Sequence, residues 1–511
     1  MFFAIVSALF LILSFPKFSL WPLAWVAFVP VFYQAKRSNS FGWAFFYFWV
    51  FGFLFFFASW EWLRHVSYFG WIILAVLYAL YFGFFGILTH WFWKHSLSLL
   101  SLFVLPSAWT VLEWIRTEIP VWGFGWNLLA YSQSARLEIA SFANLFGAYG
   151  VSALVILGNL SIFFMIHSIV TRKRMEIFTA LFSVVIFALI LGFHFKHQAA
   201  HNLPQEIQPF IRAAVIQGNI SQEEKWDPKS KSSILEIYEK LSRFVGYDKK
   251  LDLIIWPEAA FPGYLNVDRE HERVFHLEHE LGIPILLGSP HLESLSGNQE
   301  IAYNSGYLID YRMSFEDRYD KVRLVSFGEY VPWRRFFGPL GIERFAYSLG
   351  VSDFTAGKEM KVFSLKSKTQ HHFSVLICFE DTFPNLARQA VEKGAEFLIV
   401  ITNDAWFSKS AAAYQHLQAS IFRAIENGVP LIRSANTGVS AFINSQGEVL
   451  DRVKDKRGHD TFIAGGLVGS VSIGGSKTFY HEKGYQFPLY CLIFVLANLI
   501  LTLAMRVGRN L

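Results

Sequence analysis

Three side chains of different chemistry stand at or near the ends of apolar runs: Glu258 in IIWPEAAFP, Lys321 in YDKVRLVSFGEYVP and Cys378 in VLICFED. Each alone has an ordinary explanation. A cysteine closing an apolar strand packs as a small hydrophobe. A glutamate after Trp256-Pro257 suits a helix N-terminus, and a lysine beside Asp320 forms a surface pair of little worth. Together they supply something more specific. A thiol attacks as its thiolate, which needs a proton acceptor and a positive neighbour. Glu258 is the expected acceptor. Lys321 is expected to stabilise the thiolate and then the oxyanion of a tetrahedral intermediate, with a backbone N–H near Phe379. That combination performs covalent acyl transfer.

Further groups stand close in the chain. Glu329 in FGEYVP and Glu380, two residues beyond the cysteine, are expected to keep Lys321 protonated and oriented; for Glu380 a strand-end surface carboxylate is the competing reading. Trp226 in EEKWDP either offers a flat binding platform or caps a loop. Asn403, Asp404, Trp406 and Phe407 in TNDAWF follow another strand end and either line a pocket or form a turn. Only two cysteines occur, Cys378 and Cys491, which excludes a disulfide scaffold and a Cys-rich zinc site.

The elements that must position these residues come from a layered α/β fold. IRAAVIQGNI, LDLIIWPEA, IPILLGSP, FSVLICFE, FLIVITND and VPLIRSANTG read as strands buried on both faces, and 229–245 and 410–427 carry helical periodicity between them. In such sheets, reactive groups collect at strand ends.

The rest of the chain belongs to another solvent. Of 511 residues 53% are hydrophobic and mean hydropathy is +0.34, so disordered and collagen-like classes are excluded. Up to Lys196 only eleven Lys or Arg and five Asp or Glu occur among 45 and 40 in the whole chain. Apolar runs near 2–15, 18–34, 41–60, 69–93, 98–115, 147–170, 177–195 and 487–505 approach bilayer-crossing length. Pro16-Lys17 separates the first two, which form either a broken pair or a re-entrant element. Met1–Ser14 lacks the basic start and cleavage site of a signal peptide. About eight spans are therefore expected: residues 1–198 as a helical transmembrane domain, 199–484 as the α/β domain and 485–511 as a final membrane helix.

Lys36-Arg37, Lys94, Arg172-Lys173-Arg174 and Arg506/Arg509 occupy alternating connections and the C-terminal tail, which the positive-inside rule places in the cytoplasm. The 116–146 connection and the α/β domain then face the opposite side, the periplasm of a bacterium. Trp122, Phe124 and Trp126 in that connection read as an aromatic belt, or as a lip guiding a lipid toward the site. Glu61, Arg64, Glu113 and Arg116 sit near span ends, where snorkelling to the interface explains them. The basic balance, net charge +5, reflects cytoplasmic-side residues rather than nucleic-acid binding.

At the triad residues, the chain resembles the carbon-nitrogen hydrolase, or nitrilase, superfamily, whose members carry Glu, Lys and Cys in this order on an αββα sandwich. Its membrane-embedded branch, the apolipoprotein N-acyltransferases, is the closer likeness: WPE, YDKxxLVxFGEYVP, ICFE and TNDAWF follow in order, with EKWDP where a tryptophan-bearing loop belongs. The likeness covers nearly the whole chain. It implies Glu258 as general base, Lys321 as transition-state lysine and Cys378 as acylated nucleophile. Trp226, Glu329 and Glu380 match positions that family members need for full activity, and Trp122 and Trp126 fit the arrangement. One departure is Phe379, where a tyrosine is common, so a hydroxyl role lapses and an aromatic contact remains.

The resemblance further implies a ping-pong reaction without metal or organic cofactor. A phospholipid of the phosphatidylethanolamine type gives its sn-1 acyl chain to Cys378. The α-amine of a diacylglyceryl-cysteine at the N-terminus of an apolipoprotein then takes it, in the bacterial inner membrane with the catalytic domain periplasmic. A membrane-tethered amidase of nitrilase type, resolving the thioester with water, shares the first half-reaction, but one span suffices for tethering. A non-enzymatic receptor or transporter has no need of an intact triad, and no interrupted inverted repeat supports transport.

Overall fold

The computed structural model describes the chain apart from residues 97, 202–208, 248–249, 296–298, 313, 333–352, 367–369, 476 and 511. Among the described residues six helices are long and apolar enough to cross a membrane: Phe41–Ser59, Tyr68–His95, Ser98–Glu118, Ala143–Thr171, Arg174–Gly192 and Gly484–Val507. The expected count of about eight is therefore approximate, and the difference lies in the first two runs. Residues 2–15 give the short helix Phe2–Leu13, and 18–34 give a 3-10 turn, Trp21–Trp25, followed by the helix Val29–Lys36. Proline explains the break. Pro22 and Pro30 each fall in a first turn, where the missing N–H costs nothing, but one continuous helix would bury both in its interior. Buried Asn159 closes the gap by donating to Ala24 O at 2.9 Å and accepting from Phe28 N at 2.8 Å. Elsewhere helices approach closely: a Cβ on Gly86 would lie 2.6 Å from the carbonyl oxygen of Ala44 in the facing helix.

Among the described residues two six-stranded sheets build the α/β part. The first has the order β12 (Gly465–Ser472), β1 (Phe210–Gln217), β2 (Leu253–Ile255), β3 (Ile285–Leu295), β4 (Gln299–Ile309), β5 (Arg318–Asp320). The second has the order β11 (Val449–Arg452), β10 (Ala441–Ile443), β9 (Leu431–Ala435), β8 (Phe397–Thr402), β7 (Gln370–Ile377), β6 (Val362–Lys366). In each sheet the three central strands are parallel, β1-β2-β3 and β7-β8-β9, and the outer pairs are antiparallel.

Alternation along the strands explains the layers. Ala213, Val215, Leu253, Ile255 and Leu286 join the core shared with the second sheet, whereas Ala214, Ile216, Ile254, Ile285 and Leu287 pack beneath the helices Lys231–Gly246 and His271–Leu281. Ser434 of β9 crosses between sheets, donating to Ile216 O at 3.2 Å and Ile255 O at 3.1 Å. The second sheet is covered by the helices Pro384–Glu392 and Ala412–Asn427. An αββα sandwich results, with the ends of β2, β5, β7, β8 and β9 converging on one edge.

Candidate active site

Glu258 follows β2 by three residues, and its carboxylate is held at both oxygens. Oε1 accepts from Asn304 Nδ2 and Oε2 from the Asn403 N–H, each at 2.8 Å. Lys321 is the first residue beyond β5, and its backbone N–H donates to Asn304 O at 2.8 Å, which fixes its place beside Glu258. The Lys321 ammonium, 1% exposed, donates to Glu329 Oε1 at 2.8 Å and stands 3.7 Å from Glu258 Oε1. The Asn304 amide also donates to Glu329 Oε1 at 2.8 Å, and Glu329 Oε2 accepts from Val325 N. One amide and one ammonium thus share two carboxylates.

Cys378 is the first residue past β7 and opens the 3-10 helix Cys378–Thr382 with φ at +54°. A side chain in the left-handed region is costly unless the surroundings enforce it, and Glu380 does so. Fully buried, it accepts from Ile377 N at 2.8 Å, from Val322 N and Arg323 N at 2.8 and 3.0 Å, and from the Tyr319 hydroxyl at 2.8 Å. It therefore ties the cysteine elbow to the segment bearing Lys321. Glu380 thus holds the backbone that follows Lys321 and the cysteine elbow, while Glu329 takes the ammonium itself.

Behind the elbow lies a buried set of charges. His416 Nδ1 pairs with Asp404 Oδ1 and Nε2 with Asp381 Oδ1, both at 2.9 Å, while Arg433 reaches Asp381 Oδ2 at 3.0 Å and Asp404 Oδ2 at 3.3 Å. Nε2 also lies 3.3 Å from Cys378 O. Burial and Arg433 work against protonation of His416, but the two aspartates hold its pKa above the ordinary value. Two cations then face two anions.

Burial, reinforced by the Glu258 carboxylate, pushes the Cys378 thiol well above its ordinary pKa although Lys321 opposes the shift. The resting group is a thiol, and a thiolate forms only as its proton leaves. Burial works against the Lys321 ammonium, yet Glu329 and Glu258 keep its pKa above the usual lysine value. Burial lifts Glu380 to about 7 against the pull of its backbone donors.

The membrane part meets this edge directly. Phe124 lies tilted against Phe379 with ring centroids 5.7 Å apart, and Phe383 lies edge-on to Phe379 at 4.8 Å. Trp126 packs on His416 at 4.8 Å, and its indole N–H donates to Gln415 Oε1 at 2.9 Å, which also receives Trp62 Nε1 at 3.0 Å. Trp122 lies 6.1 Å from Phe327, while Phe407 packs against Trp62 at 4.4 Å. Glu113 and Arg116 overturn the snorkelling expectation. Only 4% and 3% exposed, they hold the connection: Glu113 accepts from Leu129 N at 2.7 Å, and Arg116 donates to Phe124 O and Trp126 O at 3.1 and 2.9 Å. Glu61 and Arg64 do pair near the surface, at 2.8 Å.

Trp226 is half-exposed at the end of the helix Gln222–Lys225. Its neighbour Lys225, which sequence reasoning passed over, is the buried one, 1% exposed and donating to Glu258 O at 3.2 Å. Asn304 and His416 were missed as well. Neither residue stands at a strand end or in a motif quoted for the likeness, and only the fold brings them in. Asn403 lines the site through its N–H, Asp404 joins the buried charges, and Trp406 is exposed.

Paired sheets with glutamate, lysine and cysteine at converging strand ends, joined to a helical membrane bundle, define a membrane-embedded protein of the carbon-nitrogen hydrolase class. The profile of the carbon-nitrogen hydrolases matches residues 212–465, and that of the apolipoprotein N-acyltransferase N-terminal domain matches residues 7–161. The chain belongs to the apolipoprotein N-acyltransferase family. It is 32% identical to the apolipoprotein N-acyltransferase of Geobacter metallireducens, covering 96% of this chain and 92% of that one. With the enzyme of the same name from Haemophilus influenzae it shares 31% identity over 96% and 92%. A solved amidase from Nesterenkonia sp. AN1 is 19% identical, with a TM-score of 0.37 over 53% of this chain and 96% of that one.

Proposed function

We propose that the protein moves the sn-1 acyl chain of a phospholipid, of the phosphatidylethanolamine type, onto the α-amine of the diacylglyceryl-cysteine that begins an apolipoprotein. Glu258 takes the Cys378 proton as sulfur attacks the ester carbonyl, and the oxyanion forms against Lys321 and the backbone N–H of Phe379. Collapse expels the lysophospholipid alkoxide, which recovers the proton from Glu258 and leaves a thioester. The lipoprotein amine then attacks, Glu258 accepts its proton, and the returning thiolate is reprotonated as the amide leaves. Glu329 and Glu380 hold Lys321 and the elbow, Phe124 and Phe379 flank the thiol, and Trp122, Trp126 and Trp226 line the approaches.

The observation that carries this reading is the Lys321 ammonium, buried between Glu258 and Glu329 beside the cysteine elbow, under aromatic rings of the membrane connection. The same layout supports an orientation. The helix Ser98–Glu118 starts near Lys94 and ends at the connection that covers the catalytic edge. Basic residues at the opposite end support, by the positive-inside rule, a cytoplasmic face there in a bacterial inner membrane, with residues 199–484 as a periplasmic catalytic domain between membrane parts 1–198 and 485–511.

Intact-mass measurement after exposure to phospholipid tests the proposal. A gain of one acyl group on wild type, lost on adding a lipopeptide amine with the acyl group recovered as amide, is expected. No gain removes the acyl-enzyme; release as free fatty acid despite the amine favours an amidase-like hydrolase.

A further inference from the structure

Lys225 is a second buried ammonium at the site, on an element that none of the triad residues occupies. It ends the four-residue helix Gln222–Lys225, whose Ser221 start carries a reciprocal capping box with Glu224, so its backbone is fixed close to the chain reversal after β1. The ammonium donates to Glu258 O, the Glu258 carboxylate favours its charge, and a thiolate forming on Cys378 favours it further. We propose that Lys225 is a positioning residue whose positive charge completes the electrostatic balance around the Cys378 thiol and whose hydrogen bond fixes the backbone of the general base. The inference rests on the acyl-transfer reading of the same site.

Counting the groups that face the thiol shows why a second cation is needed. Glu258 after β2 and Glu329 beyond β5 are two carboxylates, and Lys321 is one ammonium between them. Asp404 after β8 also acts on the thiol, but it and Asp381 are matched by His416 and Arg433. Glu380 lies behind the elbow, bound to backbone N–H groups and the Tyr319 hydroxyl. Without Lys225 the first group is one negative charge in excess, in a buried place where charge interactions are strong. Any anion forming on sulfur or on the substrate oxygen would then meet net repulsion. With Lys225 charged, the surroundings are neutral before attack, and when the thiol proton moves to Glu258 the new negative charge replaces the one Glu258 loses.

Burial lowers the Lys225 pKa to about 8, against the attraction of Glu258. The charge is therefore present at neutral pH and lost as pH rises through that value, which gives a distinctive test. In the 511-residue protein in detergent, the rate of Cys378 alkylation by iodoacetamide is followed by peptide mass from pH 6 to pH 10. Lys225→Gln keeps a donor for Glu258 O and removes the charge. Wild type is expected to react about tenfold faster than this variant below pH 7, equivalent to about one unit in thiol pKa. The ratio is expected to approach one above pH 9, and Lys225→Arg, which stays charged, to match wild type below pH 7 and to remain about tenfold faster than Lys225→Gln above pH 9. Lys225→Met separates the hydrogen bond from the charge: it should match Gln in pH profile and fall further in acyl transfer. A ratio between wild type and Lys225→Gln that stays constant with pH, or equals one throughout, overturns the charge role while leaving the triad intact. A wild-type Cys378 that does not react at any pH overturns the triad reading and this inference together.

Discussion

Burial holds the Cys378 thiol above its ordinary pKa, so in the proposed mechanism proton transfer to Glu258 accompanies attack, and the side chains that place Glu258 matter as much as the sulfur. Cys378→Ala is expected to eliminate the acyl-enzyme mass. Cys491→Ala should retain it, because that thiol is buried in the membrane helix Phe487–Asn510. Lys321→Arg tests the ammonium. A planar guanidinium cannot keep both the Glu329 bond and the approach to Glu258 in a space that exposes 1% of the lysine. Single-turnover acyl-enzyme formation should slow by about 10²-fold or more, the usual cost of losing an oxyanion partner; near-normal rates would remove Lys321 from that role. Glu380→Gln probes the elbow. An amide has one acceptor oxygen where the carboxylate uses two, so its NH2 must face a backbone N–H, leaving a buried donor unsatisfied at about 1–3 kcal/mol. Slower alkylation of Cys378, with the protein still folded by melting, is the expected result.

Helices and strands reach the site through joints rather than through long uninterrupted elements. The helix Ala143–Thr171 is broken at Phe146 and Gly147, the latter at φ +70°. Its second part starts at Ala148, whose N–H donates to Glu426 Oε1 at 2.7 Å. Glu426 belongs to the helix Ala412–Asn427 and also binds Arg423 at 2.9 Å, so a carboxylate of the α/β part caps a membrane helix. Glu426→Ala leaves the fully buried Arg423 without its partner, and about 3–5 kcal/mol of stability should be lost, visible as a lower Tm in detergent. An unchanged Tm would mean that this joint contributes nothing. The helix Ala412–Asn427 also explains why a segment with so many polar residues is buried: one face covers the second sheet and the other meets the membrane bundle.

Across the molecule, catalytic and membrane parts are joined by polar groups that sit in pairs among aromatic rings. Gln415 receives the indole N–H groups of Trp62 and Trp126 and donates to Ser59 O at 3.0 Å. Arg116 holds two carbonyls of the 116–146 connection, and Ser326 and Arg323 of the catalytic part donate to Val121 O and Ile119 O. The connection is thus fastened from both sides over Cys378. Both bonds come from the single nitrogen Nη1, so Arg116→Met removes them together. This variant is expected to leave iodoacetamide alkylation of Cys378 unchanged while slowing acyl transfer from bilayer phospholipid about tenfold or more, the worth of at least one charge-assisted hydrogen bond. Equal loss in both assays would show that the effect is on the thiol and not on lipid delivery.

The sequence by itself determined the patterns that run along one dimension. Apolar runs separated the membrane part from the α/β part because lipid and buried sheets each demand continuous hydrophobic stretches; Glu258 and Cys378 were legible because they follow such runs at strand ends, and Lys321, after the short polar strand Arg318–Asp320, by its motif. Even the break at 18–34 was half legible in its prolines, whose effect is local. Tertiary structure decided what faces what. Lys225, Asn304 and His416 lie outside the strand-end motifs, and Glu113 and Arg116 look like span-end residues, until distant backbone groups arrive opposite them. A buried charge is tolerable only beside a partner, and partners here stand up to 278 residues apart, as Ala148 and Glu426 do.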